Sequence, residues 1–116
     1  MKPVWKIRLT QTAEDDFQHI LRWTHTNFGR RQSKTYARTL SLALSDLAHG
    51  PNVLGSRQRE DIGCGFFTLH VARKGRRGRH FVVFRVSSSS AAPSIEVLRV
   101  LHETMDLPRH LPAAGS

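Results

Sequence analysis

Two apolar segments in the last third of the chain constrain its fold more than any other feature. The first covers residues 79–86 (RHFVVFRV) and the second residues 95–102 (IEVLRVLH), with a serine-rich break between them. The second has apolar side chains on both faces, as a strand in the interior of a sheet does. We therefore predict two neighbouring strands of a buried sheet. Arg85, Arg99 and His102 lie inside these segments, where polar groups need partners or a function.

The first half of the chain predicts one strand followed by two helices. Residues 4–9 alternate between apolar and basic side chains, which is typical of a half-buried strand. Thr10-Gln11-Thr12 marks the expected start of a helix, in which Thr12 has capping-box spacing to Asp15. The helix is expected to end at Gly29. A second helix is expected from about Arg31 to His49.

Each predicted helix carries one apolar stripe at helical spacing. The stripes consist of Ala13, Phe17, Ile20, Leu21, Thr24 and Phe28 in the first helix, and of Tyr36, Leu40, Ala43, Leu44 and Leu47 in the second. Because the joint around Gly29 is short, we expect an antiparallel helical hairpin whose stripes cover the sheet.

The remaining elements complete an α+β pattern. Residues 52–65 are predicted to be irregular, and residues 66–71 to form a strand before the two described above. The expected fold is an N-terminal strand, an antiparallel helical hairpin and then three or four mainly antiparallel strands, with the helices on one face of a small sheet. We expect a single domain over residues 1–111, with a short turn of helix in 105–111, and a flexible tail over 112–116.

The charge of the chain indicates a polyanionic partner. Eighteen Lys and Arg against nine Asp and Glu give a net charge of +9. The single cysteine, Cys64, lies in a Gly-Cys-Gly turn and is not expected to be a nucleophile. The histidines show no ligand spacing, so no metal or other cofactor is predicted. With no apolar run of membrane-spanning length and no signal-peptide core, the protein is expected to be cytoplasmic and not bound to a membrane.

Part of this charge is concentrated in the segment between two predicted strands. Its five basic residues are Arg73, Lys74, Arg76, Arg77 and Arg79. They form either a solvated hairpin tip or a contact surface for a polyanion or an acidic protein segment. The segment has no interleaved aromatic residues, so stacking of single-stranded bases is not predicted here.

Several motifs in this order resemble the RelE/ParE superfamily of small bacterial toxins, with the ParE branch as the nearer match. They are Ala13-Glu14-x-Asp16-Phe17-x-x-Ile20 with Trp23, the joint Phe28-Gly29, the loop from Pro51 to Gly65, and the segment from Arg79 to Leu111 with its Ile95-Glu96-Val97-Leu98-Arg99-Val100-Leu101-His102-Glu103 run. The resemblance implies a toxin that a co-encoded antitoxin neutralises with an extended acidic segment. ParE-like toxins poison DNA gyrase, whereas RelE-like toxins cleave mRNA on the ribosome.

The resemblance also defines candidates for a nuclease site. RelE-like nucleases use basic residues of the sheet and a late tyrosine or histidine, and here Arg85, Arg99 and His102 have such positions, with Glu60 and His70 as further proton acceptors. No tyrosine follows Tyr36, so the tyrosine form of that site is absent. We therefore expect a gyrase poison, with a histidine-based mRNA endonuclease and an inactive toxin-like binding domain as the alternatives.

The same residues also have structural interpretations. Arg99 shares its strand with Glu96 and Glu103, and an ion pair with them would secure the sheet. Arg85 is also expected to be structural. His102 closes its strand, where a hydrogen-bonded polar end is common.

Overall fold

The computed structural model describes residues 5–53, 55–61, 65–72, 74–87 and 94–104. The elements are β1 (Lys6–Leu9), α1 (Gln11–Phe28), α2 (Arg30–Leu47), β2 (Ser56–Gln58), β3 (Phe66–His70), β4 (His80–Ser87) and β5 (Ser94–His102). They form one five-stranded sheet in the order β1-β5-β4-β3-β2. Strand β1 runs parallel to β5, and the other neighbours are antiparallel. The α+β prediction is confirmed, and β2 is the additional short strand.

The helical hairpin forms as predicted, but its first cap is a different threonine. Thr10 precedes α1, and its side-chain oxygen accepts a hydrogen bond from the Ala13 amide at 3.1 Å. Thr12, the residue predicted for this role, already lies within the helix, where its backbone is no longer extended as a cap requires. Gly29 joins the two helices with a φ of 91°, a conformation that favours glycine.

The helices cover one face of the sheet and enclose the main core. Leu40, Ala43 and Leu47 of α2 pack with Val82 and Phe84 of β4 and with Ile95 and Val97 of β5. A second buried cluster consists of Phe66, Val83, Leu98 and Leu101. Since Val83 alternates with Val82 and Phe84 along β4, this cluster lies on the opposite face.

Phe28 departs from the predicted apolar stripe of α1. Its side chain is 63% exposed, although it was expected to pack against the sheet. Phe28 is the last residue of the helix, and its ring contacts Trp23 edge to face at 5.7 Å between ring centroids. The two aromatic residues therefore form an exposed pair instead of adding to the core.

Strand β5 lies inside the sheet, as its two apolar faces predicted. It pairs with β4 along its length and with β1 over residues 94–97. Beyond the end of β1, side chains at the start of α1 bind the backbone groups on this edge of β5. The Thr10 hydroxyl donates to the Leu98 carbonyl at 2.9 Å, and the Val100 amide donates to the Asp16 carboxylate at 3.0 Å. None of the described helices is long and apolar enough to cross a bilayer. The predicted turn in 105–111 and the tail lie outside the described residues.

Candidate functional site

A groove of about 1130 Å³ lies between the helical hairpin and the segment that connects β3 to β4. We call it the hairpin groove. One wall is formed by α1 and α2, and the other by residues 75–79 of the connection. Residues 80 and 102, at adjacent ends of β4 and β5, and residue 104, which follows β5, complete the lining. The groove therefore combines three parts of the chain that are distant in sequence.

Three ring side chains meet in this groove. The Tyr36 hydroxyl lies 2.6 Å from Nδ1 of His80, and it also accepts a hydrogen bond from the Arg79 amide at 3.2 Å. His80 stands opposite His102 in the β4–β5 register, and the two imidazole rings meet edge to face at 5.2 Å between centroids. The Tyr36 oxygen therefore has two hydrogen-bond partners, the Arg79 amide and Nδ1 of His80.

The environment keeps His80 neutral. Burial, reinforced by the neighbouring His102, lowers the pKa of His80 from 6.5 to about 4. Glu103 and Asp16 oppose this effect more weakly. Burial also raises the pKa of the Tyr36 hydroxyl. At neutral pH this hydrogen bond therefore joins an un-ionised tyrosine to an uncharged imidazole.

Gly78 allows the connection to approach α2 this closely. A Cβ at this position would lie 2.5 Å from Cγ2 of Val71 and 2.9 Å from the Tyr36 hydroxyl oxygen. Contacts this short are essentially never seen for a Cβ atom. Only glycine therefore fits at this point of the β3–β4 connection, which passes over Tyr36. We call residues 74–79 of this connection the basic segment.

Asp46 fastens the basic segment to the end of α2. Its carboxylate binds the Lys74 ammonium at 3.2 Å and the Arg76 guanidinium at 2.7 Å. Asp46 and Arg76 are mostly buried, whereas Lys74 is 60% exposed. Arg77 and Arg79 are exposed on the same segment. Four of the five predicted basic residues thus lie together beside the groove, while Arg73 lies outside the described residues.

The opposite wall is apolar. Trp23 and Phe28, 59% and 63% exposed, line the groove together with Ile20. Large aromatic side chains bury 150–250 Å² when covered, so their exposure in a concave surface is typical of a binding site.

The structure does not unite the predicted nuclease residues in one site. Arg85 alternates with Phe84 and lies on the face of the sheet opposite the groove, where its guanidinium binds Glu96 at 2.8 Å. Arg99 binds Asp16 of α1, with Nε···Oδ2 at 2.7 Å and a terminal nitrogen 3.0 Å from Oδ1. The expected pairing of Arg99 with Glu96 or Glu103 is therefore wrong, because Glu96 binds Arg85, and Glu103 binds His70.

His102, at the end of β5, is hydrogen-bonded to Thr104. Nδ1 of His102 accepts from the Thr104 amide at 3.2 Å and lies 2.7 Å from the Thr104 hydroxyl. His70 is held similarly: Nδ1 accepts from the Ala72 amide, and Nε2 donates to Glu103 at 2.7 Å. This hydrogen bond lowers the pKa of Glu103. Glu60 is exposed in a turn, and Cys64 lies outside the described residues.

Tyr36, His80 and Asp46 were not identified as site residues from the sequence. Tyr36 has the spacing of a core residue, and its hydroxyl is the only sign that it needs a polar partner. The contact between His80 and His102 depends on the register of two strands, which apolar patterns do not specify to one residue. In the described part of the chain, no group of three or more His, Cys, Asp or Glu could hold a metal ion.

Comparison with known proteins gives this arrangement its context. The family described as "ParE toxin of type II toxin-antitoxin system, parDE" matches residues 7–107. The chain belongs to the ParE toxin family. It is 29% identical to Toxin ParE1 of Caulobacter vibrioides over 96% of this chain and 99% of that protein. It is 30% identical to Toxin ParE1 of Mycobacterium tuberculosis over 89% of this chain and 94% of that protein.

Solved structures agree with the ParE fold. A chain of the chromosomal ParDE system from P. aeruginosa superposes with a TM-score of 0.67 at 18% identity, covering 85% of this chain and 96% of that one. A chain of the toxin–antitoxin complex RelBE2 from Mycobacterium tuberculosis gives a TM-score of 0.54 at 22% identity, covering 85% and 98%. At these identities the likeness shows the fold alone. It matches the strand–hairpin–sheet order described above.

Proposed function

We propose that this ParE-family toxin arrests growth by poisoning DNA gyrase, and that a cognate antitoxin neutralises it by placing an acidic segment in the hairpin groove. Family membership supports the toxin role. The observation that carries the antitoxin site is the chemistry of the two walls: exposed aromatic side chains on one, and Arg77 and Arg79 on the other.

The two walls define what the groove binds. A segment that fits must offer apolar side chains to Trp23 and Phe28, and carboxylates to Arg77 and Arg79. An acidic amphipathic segment that orders on binding meets both requirements. It would also cover the apolar surface that the free toxin leaves in water.

The hydrogen bonds of the two imidazoles favour a binding toxin over a nuclease. Nδ1 of each ring is engaged within the protein, by the Tyr36 hydroxyl in His80 and by the Thr104 amide in His102. These two nitrogens are therefore not free to deprotonate a ribose hydroxyl. Arg85 points away from this pair, and Arg99 is occupied by Asp16.

One observation favours the alternative, a RelE-like ribosome-dependent mRNA endonuclease. Tyr36, His80 and His102 share a groove with Arg77 and Arg79, and such residue types could transfer protons and stabilise a phosphate. A toxin-like domain that binds its partner and has no activity of its own is the further alternative. The two active mechanisms differ in which process stops first.

Pulse labelling of DNA and protein synthesis after induction distinguishes them. A gyrase poison stops DNA synthesis first and leaves gyrase covalently attached to broken DNA. Immediate translation arrest with cleaved mRNA, abolished by His102→Ala and retained by His25→Ala, would establish the nuclease instead. His25 is a matched control because it is exposed on α1 and is not part of the groove lining. Absence of any growth arrest would leave the inactive binding domain.

The antitoxin site is tested by binding of the co-encoded partner. Trp23→Ser should weaken binding at least tenfold, because truncating an aromatic hot spot at an interface costs about 2 kcal/mol or more, and about 1.4 kcal/mol is already tenfold. Leu42→Ser, at an exposed position of α2 outside the groove lining, should leave binding unchanged. Equal affinities for the two variants would place the antitoxin elsewhere.

A further inference from the structure

A second basic surface lies on α2, apart from the hairpin groove. It consists of Arg30, Arg31, Lys34 and Arg38, all exposed. Within the described residues none of the four forms an ion pair. Residues 30–45 contain no Asp or Glu at all. We call these four side chains the α2 basic face.

Helix geometry directs this face into solvent. Arg30, Lys34 and Arg38 follow each other at intervals of four residues and so form one row, about 12 Å long at 1.5 Å per residue. Leu40, Ala43 and Leu47 occupy the side of α2 that packs into the core. Gln32, Thr35 and Thr39 line the hairpin groove on a different flank of the helix. The basic face therefore stays open when the groove is filled.

The row does not stabilise the helix that carries it. Like charges four residues apart repel each other. Arg30 and Arg31 also lie in the first turn of α2, where the helix dipole already creates a positive potential. This turn contains no acidic residue that would offset it. The nearby carboxylate of α2, Asp46, is engaged by Lys74 and Arg76. An external anion would relieve this repulsion.

We propose that the α2 basic face binds the phosphate backbone of duplex DNA. Four cations on a straight, rigid helix match a linear array of phosphates, and a row of about 12 Å laid along the duplex axis covers the axial rise of roughly three to four phosphates of one strand. Ser41 and Ser45, exposed farther along the same side, add hydroxyl groups of the kind that contact phosphate oxygens.

The residues of this face argue against other polyanions. It has no aromatic side chain on which single-stranded bases could stack. The apolar side of α2 is buried in the core, so the helix has no surface left to insert into a membrane. The major groove of B-form DNA admits a helix, whereas that of duplex RNA is deep and narrow. An acidic protein would need an apolar anchor, and none of the four residues offers one.

Fluorescence anisotropy of a labelled duplex DNA of mixed sequence tests this proposal on the full chain. A probe of about 20 base pairs is titrated over about 0.05–0.2 M salt, and the slope of log affinity against log salt should be near −0.9 for each phosphate neutralised, thus between about −2.7 and −3.6 for three to four phosphates. The variant Arg30→Gln/Lys34→Gln/Arg38→Gln should weaken binding at least tenfold and make the slope shallower by about 2.7.

A second triple variant controls for net charge. Lys6→Gln/Arg8→Gln/Arg57→Gln removes the same charge from exposed positions of β1 and β2. It should retain most of the affinity and the slope. Equal losses in both variants would show diffuse attraction by net charge and overturn the assignment to α2.

Three further outcomes would also overturn the proposal, whatever the folding of the variants. They are a salt slope near zero for the unmodified chain, tighter binding to duplex or single-stranded RNA of the same length, and loss of DNA binding once the antitoxin fills the groove. The expected result is a complex with antitoxin that still binds DNA. Since no gyrase is present, the result does not depend on the proposed toxin mechanism. The outcome with antitoxin rests on the proposed groove site, which the comparison of Trp23→Ser with Leu42→Ser tests separately.

Discussion

Asp16 and Arg99, 83 residues apart in sequence, join α1 to the interior strand β5. Two hydrogen bonds of 2.7 and 3.0 Å connect the guanidinium to both carboxylate oxygens. One of these oxygens also accepts from the Val100 amide, at 3.0 Å. The pair therefore holds the helix and satisfies a backbone group that β1 is too short to reach. The hydrogen bonds that Arg99 donates to Asp16 raise the pKa of Arg99.

Removing Arg99 should destabilise the fold. Both side chains are mostly buried, with 23% and 14% exposed, so Arg99→Met leaves a largely buried carboxylate without its cation. We expect the free energy of unfolding to fall by about 1–4 kcal/mol, measured by urea denaturation. A folded Arg99→Met toxin with normal stability but no toxicity would contradict the structural role.

Arg85→Met is the matched comparison, because it also removes an arginine that pairs with a carboxylate of the sheet. Arg85 is 47% exposed, and exposed pairs contribute about 0–1 kcal/mol. Arg85→Met should therefore lower the free energy of unfolding less than Arg99→Met does. Equal losses would show that burial does not set the strength of these pairs.

Acid should weaken the fold through His80. Its pKa of about 4 in the folded state lies below its ordinary value of 6.5, so the unfolded chain binds the proton more readily. Stability from this residue is complete above about pH 6.5 and falls progressively as the pH drops to about 4. The full shift would correspond to about 3 kcal/mol, which we reduce to about 1–2 kcal/mol because the ring is partly exposed.

The contribution of His80 is isolated with His80→Asn. This side chain retains an acceptor for the Tyr36 hydroxyl but does not titrate. The variant should lose less stability than the unmodified protein between pH 7 and pH 4.5, in urea denaturation at each pH. Identical pH profiles would assign the acid sensitivity to other groups.

Gly78→Ala should displace the basic segment from Tyr36. The added methyl group would lie 2.5 Å from the Val71 side chain, and overpacking of this kind costs about 1–3 kcal/mol. In the Val71→Ala background the same substitution should cost less, since the clashing methyl is absent. A double-mutant cycle in urea measures this coupling. Purely additive effects would mean that Val71 does not limit the space.

Asp46→Asn should release the basic segment from α2. The substitution removes the negative charge that binds Lys74 and Arg76, so amide exchange over residues 74–79 should accelerate. Asp61→Asn, which weakens an ion pair with Arg59 at a 56% exposed aspartate, should leave that segment unchanged. Unaltered exchange in Asp46→Asn would show that Gly78 and Tyr36 alone hold the segment.

The sequence by itself determined the elements and their layering. Apolar alternation and helical stripes placed β1, the hairpin and the three later strands within a few residues, because these periods follow from backbone geometry. They also placed β5 inside the sheet. The motifs around Trp23 and in β5 identified the RelE/ParE superfamily, which the ParE family match confirms.

Tertiary structure alone decided the partners and the groove. Arg99 pairs with Asp16 of α1 rather than with a nearby glutamate. The face of the strand on which a side chain lies, and the position of the helix that covers that face, decide which charged groups meet. The meeting of Tyr36, His80 and His102 depends on strand register and on Gly78. Phe28 became exposed because it ends its helix, beyond the reach of the core. A sequence pattern fixes which side of an element is apolar, whereas long-range contacts are set only when the elements pack.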